Sequence, residues 1–224
     1  MNTLLDKIVI EPERHAVATV IWLHGLGASG EDFAALLPEL KLPENHGIRF
    51  VFPHAPVRPI TLNGGWPMPG WYDIYDLDKD ARQDEAGIRN MADQVRELIA
   101  IEQDSGIPPD KILLAGFSQG GAMALFTGLT HAQPLAGVLA LSTYLPLKDI
   151  LQAEAQVKRH TLPILMVHGL SDPVIPVHFA ELSRTTLETL GYPVTWHTFP
   201  MAHSVCQPEI ELIRVWMLQQ LHGV

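Results

Sequence analysis

The first feature of the sequence that could do chemistry is a serine placed between two glycines. Residues 116–120 read GFSQG and match the G-x-S-x-G turn, in which a serine hydroxyl projects above a sheet. An apolar stretch at residues 112–115 precedes the turn and a helix-like run follows it, which is the strand–turn–helix context that the motif requires. Small residues are needed two positions to either side of the serine, because larger side chains would collide with the neighbouring strand and helix. The pattern predicts Ser118 as a nucleophile.

A serine hydroxyl needs a base to remove its proton and a carboxylate to orient that base. In proteins with the G-x-S-x-G turn the carboxylate and the histidine come later in the chain than the serine, the carboxylate first. Asp172 comes soon after an apolar stretch at residues 163–167, and His203 follows another at residues 194–199. Both positions fall at the carboxyl ends of predicted parallel strands, where the sites of open α/β sheets lie. An aspartate before a proline is by itself more typical of a turn, so its assignment depends on this order.

The sequence contains 11 histidines, and only His203 occupies a loop after the last predicted strand. The other histidines that follow Asp172 begin a predicted helix, lie within a strand or end the chain: His178, His197 and His222. We therefore predict Ser118, Asp172 and His203 as a catalytic triad. Such a triad cleaves carboxylic ester or thioester bonds through an acyl-enzyme intermediate and needs no cofactor. The same triad would also serve an amidase or peptidase.

A glycine-rich loop, His24-Gly25-Leu26-Gly27, directly follows the apolar stretch at residues 17–23. Such a loop lets a backbone N–H point at the carbonyl oxygen under attack. We predict that the N–H groups of Leu26 and Gln119, the residue after the nucleophile, form the oxyanion hole.

The same loop also fits the dinucleotide-binding pattern G-x-G-x-x-G through Gly25, Gly27 and Gly30. An NAD(P)-dependent oxidoreductase is therefore an alternative. That function expects an acidic residue at the end of the second strand, but residues 52–55 read FPHA, and Glu44 lies before the strand. The alternative is disfavoured. A hydrolase-fold binding protein without activity is a further alternative, which an intact triad argues against.

There is one cysteine and no H-x-x-x-H pair, so we expect no metal site.

The elements that must position these residues alternate along the chain. Strands are predicted at residues 17–23, 48–52, 112–115, 138–141, 163–167 and 194–199, and helices near residues 88–99, 119–129, 177–190 and 209–221. Strands that alternate with helices predict right-handed crossovers and a parallel sheet covered on both faces. Residues 53–76 are rich in Pro and Gly, and we predict neither helix nor long strand there. The whole chain, residues 1–224, is predicted as one domain.

The composition of the chain limits the kinds of partner that it is expected to bind and the compartment in which it is expected to act. The formal net charge is −10, which disfavours nucleic acid as a partner because like charges repel. No window approaches the roughly 20 apolar residues of a membrane span, so we expect no stable membrane insertion. The amino end does not resemble a secretory signal, and the single cysteine, Cys206, is typical of a reducing compartment. These features predict a cytoplasmic protein.

Taken together, the motifs resemble those of the acyl-protein thioesterase and carboxylesterase family, also described as lysophospholipase-like, and its bacterial carboxylesterase branch especially. The matching segments occur in the family's order across nearly the whole chain: HGLG (24–27), PHAPVRP (53–59), MPGWYDI (68–74), DEAGI (84–88), GFSQGGAM (116–123), LAGVLALSTYLP (135–146), HGLSDPVIP (168–176) and MAHSVC (201–206). The resemblance implies the α/β-hydrolase fold, a mostly parallel central sheet with helices on both faces and no large lid domain. It implies the same triad and oxyanion hole.

The resemblance also implies that residues 53–76 border an acyl-binding groove lined by Trp66, Trp71 and Val174. The two tryptophans could instead pack the loop onto the body of the protein. Implied substrates are small acyl esters or thioesters, with acylated proteins and lysophospholipids as further candidates. A homodimer is a further possibility that the resemblance leaves open. Residues 63–66 and the linker after Leu147 depart from the eukaryotic members. Both departures bear on the choice of substrate.

Overall fold

The computed structural model describes residues 4–76, 82–154 and 161–222. Within these ranges nine strands follow one another: β1 Lys7–Ile10, β2 Ala18–Leu23, β3 Ile48–Pro53, β4 Val57–Ile60, β5 Trp66–Pro69, β6 Ile112–Phe117, β7 Gly137–Leu141, β8 Ile164–Gly169 and β9 Val194–Phe199. The described part of the chain also contains six α-helices: α1 Gly30–Leu36, α2 Glu85–Asp104, α3 Gln119–Thr130, α4 Lys148–Glu154, α5 Val177–Thr189 and α6 Gln207–His222.

Seven of the strands form one sheet in the order β1-β3-β2-β6-β7-β8-β9. All neighbours in this sheet are parallel except β1 and β3, which are antiparallel. The central strands β6 and β7 are almost entirely apolar and buried, as strands covered on both faces must be. Because every strand of this sheet except β1 runs parallel to the others, the carboxyl ends of these six strands lie along one edge of the sheet, and the loops that follow them lie at that edge.

Each face of the sheet packs against its own group of helices. Alternate residues of one strand separate to the two faces: Ile21 of β2 packs in the cluster that contains α2 and α3, and Trp22 packs in the cluster that contains α6. Helices α1 and α6 cover one face through Phe33 and Ile213, and α2, α3 and α5 cover the other. The prediction of a mostly parallel sheet with helices on both faces is confirmed.

All six predicted strands are present with boundaries shifted by at most two residues. Strand β1 was not predicted, because it is short, partly exposed and lies at the sheet edge. Residues 53–76 contain the two-stranded hairpin β4–β5, which the sequence analysis did not predict. The segment between β7 and β8 contains the short helix α4, and its residues 155–160 lie outside the described part of the chain. No helix in the described ranges is long and apolar enough to cross a membrane.

Candidate active site

The residues predicted to do chemistry follow four different strands of the sheet. Leu26 follows β2, Ser118 follows β6, Asp172 follows β8 and His203 follows β9. The loops after β8 and β9 are joined by backbone hydrogen bonds, from Leu170 to the carbonyl of Phe199 and from Ser171 to that of Met201. The loop after β2 runs beside the nucleophile, since a methyl group added at Gly25 would lie 3.5 Å from Ser118 Cβ.

Ser118 lies in a strained turn between β6 and α3. Its φ of 55° and ψ of −122° fall in a region that residues with a side chain rarely adopt. Both flanking glycines are required: a Cβ at Gly116 would overlap with the Gly120 carbonyl, and a Cβ at Gly120 would overlap with that of Leu23. The Ser118 N–H donates to the Leu141 carbonyl over 2.9 Å. This is the nucleophile elbow that the G-x-S-x-G motif predicts.

The Asp172 carboxylate is held from several directions. Its Oδ1 accepts hydrogen bonds from the backbone N–H groups of Val174 and Ile175, at 2.8 and 2.9 Å. Its Oδ2 lies 2.7 Å from His203 Nδ1. The carboxylate side chain is fully buried, whereas the imidazole of His203 is 16% exposed. Because an ionised carboxylate only accepts, Nδ1 of His203 carries the proton in this pair, and Nε2 is left to act as a base.

A second histidine, His168, lies against the same carboxylate. Its Nε2 donates to the Ile175 carbonyl over 2.7 Å and lies 3.4 Å from Asp172 Oδ2. Burial lowers the pKa of His168 below its ordinary value, against opposing effects that include the Asp172 charge. His168 is therefore neutral at pH 7. It supports the loop after β8 through its bond to Ile175 and leaves His203 as the base that would accept the Ser118 proton.

The imidazole of His203 packs on the residue that precedes the nucleophile. Its ring centroid lies 4.8 Å from that of Phe117, which places it at the end of β6. Within the described residues, no hydrogen bond joins the Ser118 hydroxyl to His203. Catalytic hydrogen bonds are often long before substrate binds and shorten in the substrate complex. The arrangement therefore holds an oriented imidazole beside the end of β6, next to the elbow that carries Ser118.

The two predicted oxyanion donors are free. Within the described residues, the backbone N–H groups of Leu26 and Gln119 have no hydrogen-bond acceptor. Gln119 is the first residue of α3, so its N–H belongs to the positive end of the helix dipole. The neighbouring Gly27 adopts a φ of 75°, and its N–H donates to Pro69 of the hairpin over 2.8 Å. Free N–H groups at these positions can stabilise a developing oxyanion.

His24 holds the glycine-rich loop, a role that the sequence analysis missed. Its Nδ1 donates to the Gly25 carbonyl over 2.7 Å, and its Nε2 accepts from the Ala55 N–H over 3.0 Å. Burial lowers the pKa of His24, which agrees with this neutral tautomer. Only its position at the end of β2 could have indicated such a role, because its partners are backbone groups.

The three residues predicted to bind substrate lie in different surroundings. Trp66 of β5 is 72% exposed and Val174 is 45% exposed. Trp71 is fully buried and donates its indole N–H to the His24 carbonyl over 2.7 Å. A side chain without exposed surface cannot line a groove, so the structure corrects the expectation for Trp71 and gives it a packing role. Contact of Trp66 and Val174 with substrate stays a prediction.

The dinucleotide pattern has a packing explanation. A Cβ at Gly30 would lie 2.6 Å from the Phe52 carbonyl, so the helix α1 begins directly against the backbone of β3. At Gly25 an added Cβ would make a tight contact, 3.3 Å from Phe117 Cδ1, and Gly27 has a φ of 75°. These glycines are needed where the loop and helix approach their neighbours closely, and their spacing requires no bound phosphate.

A nucleophile elbow on a mostly parallel sheet, with an acid–histidine pair after later strands, defines an α/β-hydrolase. Comparison with known proteins gives the family: the chain belongs to the phospholipase/carboxylesterase family, whose model matches residues 5–219. It is a serine hydrolase of the class that acts on carboxylic esters and thioesters.

Among curated relatives, the chain is similar to acyl-protein thioesterase 1 of Neurospora crassa, with 42% identity over 94% of this chain and 89% of that protein. Its identity with acyl-protein thioesterase 1 of Gibberella zeae is 39%, over 97% of this chain and 96% of that protein. Among solved structures, Zea mays acyl-protein thioesterase 2 matches with a TM-score of 0.86 and 30% identity, over 96% of this chain and 99% of that one. The fungal origin of the curated relatives does not support the bacterial branch expected from the sequence.

Proposed function

We propose that this protein hydrolyses acyl esters and thioesters with Ser118 as nucleophile, His203 as general base and acid, and Asp172 as the group that orients the imidazole. The observation that carries the proposal is the 2.7 Å pair between the buried Asp172 Oδ2 and His203 Nδ1, together with a serine held in the strained elbow. The loops that carry the three side chains follow the carboxyl ends of β6, β8 and β9 at one edge of the sheet, which supports the proposal.

The chemistry follows from this arrangement. His203 Nε2 removes the proton of Ser118 as Oγ bonds to the acyl carbon, and the carbonyl electron pair moves to its oxygen. The N–H groups of Leu26 and Gln119 stabilise the oxyanion that forms. The alcohol or thiol leaves with the proton from His203, and water then attacks the acyl-enzyme by the same route.

We infer that acylated proteins or peptides are among the substrates. The relatives from both fungi and maize are named acyl-protein thioesterases, and the chain aligns with nearly their full length. Two exposed apolar side chains, Trp66 of the hairpin and Val174 of the loop after β8, would suit the acyl chain. We also infer that residues 1–224 act as one domain, since the sheet takes strands from both ends of the chain.

Replacement of the nucleophile tests the function. Ser118→Ala removes the attacking oxygen, so we expect kcat to fall by about 10⁶-fold, as when a triad serine is lost. The measurement is hydrolysis of a p-nitrophenyl acyl ester, an acyl thioester and the corresponding acyl amide. The ester and thioester should be cleaved and the amide should be cleaved far more slowly.

A matched control is Ser171→Ala, because Ser171 is an exposed loop serine whose side chain makes no hydrogen bond among the described residues. It should retain the activity of the wild type. Loss of only a few-fold on Ser118→Ala would exclude Ser118 as the nucleophile.

A further inference from the structure

The side chain of Gln119 is buried and joins two parts of the site. It is only 2% exposed. Its Oε1 accepts from the backbone N–H of Trp71 over 2.8 Å, and its Nε2 donates to the Tyr72 carbonyl over 2.7 Å. The carboxamide thereby both accepts from and donates to the backbone of residues 71–72, as the backbone of a neighbouring strand would. The start of α3 is fixed to this loop by a side chain.

Trp71 continues the connection to the glycine-rich loop. Its indole N–H donates to the His24 carbonyl over 2.7 Å, and its ring lies 5.0 Å from the His24 ring. His24 in turn bonds to the Gly25 carbonyl. The intervening Gly70 is packed between the same elements, since a Cβ there would lie 3.0 Å from Leu26 Cδ1 and 3.6 Å from Gln119 Oε1.

This chain of contacts joins the two residues predicted to supply the oxyanion donors, whose N–H groups have no acceptor among the described residues. Leu26 lies three residues beyond the end of β2, and Gln119 lies two residues beyond the end of β6. Strands β2 and β6 pair as far as Leu23 with Gly116, so hydrogen bonding within the sheet ends before Leu26 and Gln119. Oxyanion donors must lie within 2.7–3.1 Å of one point to be effective. Some other contact must set their separation.

We propose that the side chains of Gln119 and Trp71 are positioning residues that set the separation of the Leu26 and Gln119 N–H groups before substrate binds. The inference rests on the proposed function, because it requires an oxyanion at this site. Its physical basis is preorganisation: donors that are already fixed need no rearrangement when charge develops. The inference also explains why a tryptophan without exposed surface lies in the loop that borders the site.

Two substitutions interrupt the connection without removing either backbone N–H. Gln119→Met keeps the approximate shape and removes both hydrogen bonds, and Trp71→Phe removes the bond to His24. The probes are an alkyl trifluoromethyl ketone and the alkyl alcohol of equal chain length. Ser118 Oγ adds to the ketone carbon, its proton passes to His203, and the adduct oxygen becomes an oxyanion. The alcohol binds by its chain alone.

We expect each variant to bind the ketone about 10- to 100-fold more weakly than the wild type, less than the 10²–10³-fold of a donor lost outright. Binding of the alcohol should change by less than about 2-fold, and kcat should fall more than KM changes. The double variant should lose little more than either single variant, because both residues act through one connection. Gln103→Met is the matched control: it removes a glutamine bond to Gln133 on the exposed surface of α2 and should leave all values unchanged.

Thermal unfolding shows that each variant is folded before the inhibitors are compared. Folded variants that bind ketone and alcohol with unchanged affinity would overturn the inference and leave the proposed function intact. Equal weakening of both probes would also overturn it, because that result indicates a general disturbance of the pocket. A wild type that neither cleaves esters nor binds the ketone in a Ser118-dependent manner would instead refute the proposed function.

Discussion

The hydroxyl of Thr143 donates to the carbonyl of Ser118 over 2.7 Å. The same carbonyl accepts from the Ala122 N–H over 3.1 Å, within the first turn of α3. Thr143 is buried and follows β7, so it supports the elbow from the neighbouring strand. An unusual backbone conformation persists only when its surroundings hold it, and this hydroxyl is one of the groups that do so.

Thr143→Val should therefore lower both stability and activity. Loss of one buried hydrogen bond costs about 1 kcal/mol of unfolding free energy. We expect kcat to fall about 10-fold, since small misplacements of reacting groups cost up to ~10²-fold. Chemical denaturation and steady-state hydrolysis measure the two effects. Thr143→Ser keeps the hydroxyl and should retain most of both. Unchanged kcat in Thr143→Val would show that the elbow does not need this bond.

The candidate triad could be predicted because the serine lies in a recognisable motif. The acid and the histidine then follow it in a fixed order, each after a predicted strand. The supporting residues could not be predicted in this way. His24, Thr143 and Gln119 act through hydrogen bonds to backbone carbonyls and N–H groups, and any of many polar residues could make such bonds. For Trp71 the resemblance implied a place in the groove and left packing onto the body as the alternative. Its complete burial favours the packing role, which the loop sequence alone does not indicate.

At the scale of elements, the close approach of α3 to the end of β2 fixes the position of the nucleophile. Gly120, in the first turn of α3, leaves no space for a side chain, since a Cβ would overlap with the Leu23 carbonyl and lie 2.5 Å from that of His24. Both neighbours are backbone atoms of β2 and of the glycine-rich loop, so neither can rotate away. Helix and sheet must separate to admit a methyl group.

Gly120→Ala is accordingly expected to destabilise the protein by at least about 1–3 kcal/mol, the usual cost of overpacking, and to reduce kcat at least about 10-fold. Gly106→Ala is the control, because Gly106 has a φ of 98° and nothing within 4 Å of an added Cβ. It should cost about 1 kcal/mol through backbone conformation alone and leave kcat unchanged. Equilibrium unfolding and ester hydrolysis distinguish the two. Equal effects in both variants would contradict the packing argument.

Elements with a strong hydrophobic pattern were predicted, and those with a weak pattern were not. Strands β6 and β7 are continuous apolar runs, and α2 buries a regular stripe that includes Ile88, Met91 and Val95. The hairpin β4–β5 contains three prolines and an exposed tryptophan. The Gly27 N–H donates to the Pro69 carbonyl of this hairpin, and such a tertiary contact cannot be read from the local propensity of its residues.

At the scale of the whole molecule, one buried acid opposes folding at neutral pH. Glu209 lies in the first turn of α6 and has no exposed surface. Its Oε2 accepts from the Cys206 N–H over 3.4 Å, and Oε1 has no partner within the described residues. Burial raises the pKa of Glu209 from 4.5 to about 7. The folded protein therefore keeps this proton over a pH range in which the unfolded chain releases it.

Because the folded pKa is the higher one, stability due to Glu209 is complete below pH 4.5 and is lost progressively as pH rises to about 7. Glu209→Gln should remove this loss: it should exceed the wild type in stability by less than about 1 kcal/mol at pH 5 and by up to about 3 kcal/mol at pH 8. Urea unfolding at both pH values measures the difference. The buried histidines His24 and His168, whose lowered pKa values favour folding above pH 6.5, affect both proteins equally.

Glu211→Gln provides the comparison, since Glu211 is exposed on the same helix. It should show the same pH dependence as the wild type. A Glu209→Gln variant whose advantage over the wild type is equal at pH 5 and pH 8 would show that Glu209 titrates normally in the folded protein.

The positive φ of Ser118 has a consequence for how this enzyme could lose its function. Glycine adopts such a conformation without the ~1–3 kcal/mol that a side chain costs there. A lineage freed from the need for catalysis would gain fold stability by exchanging the serine for glycine, and recovery of the serine would reverse that gain. Decay to a stable, inactive protein is thus thermodynamically downhill, and return to an active one is uphill.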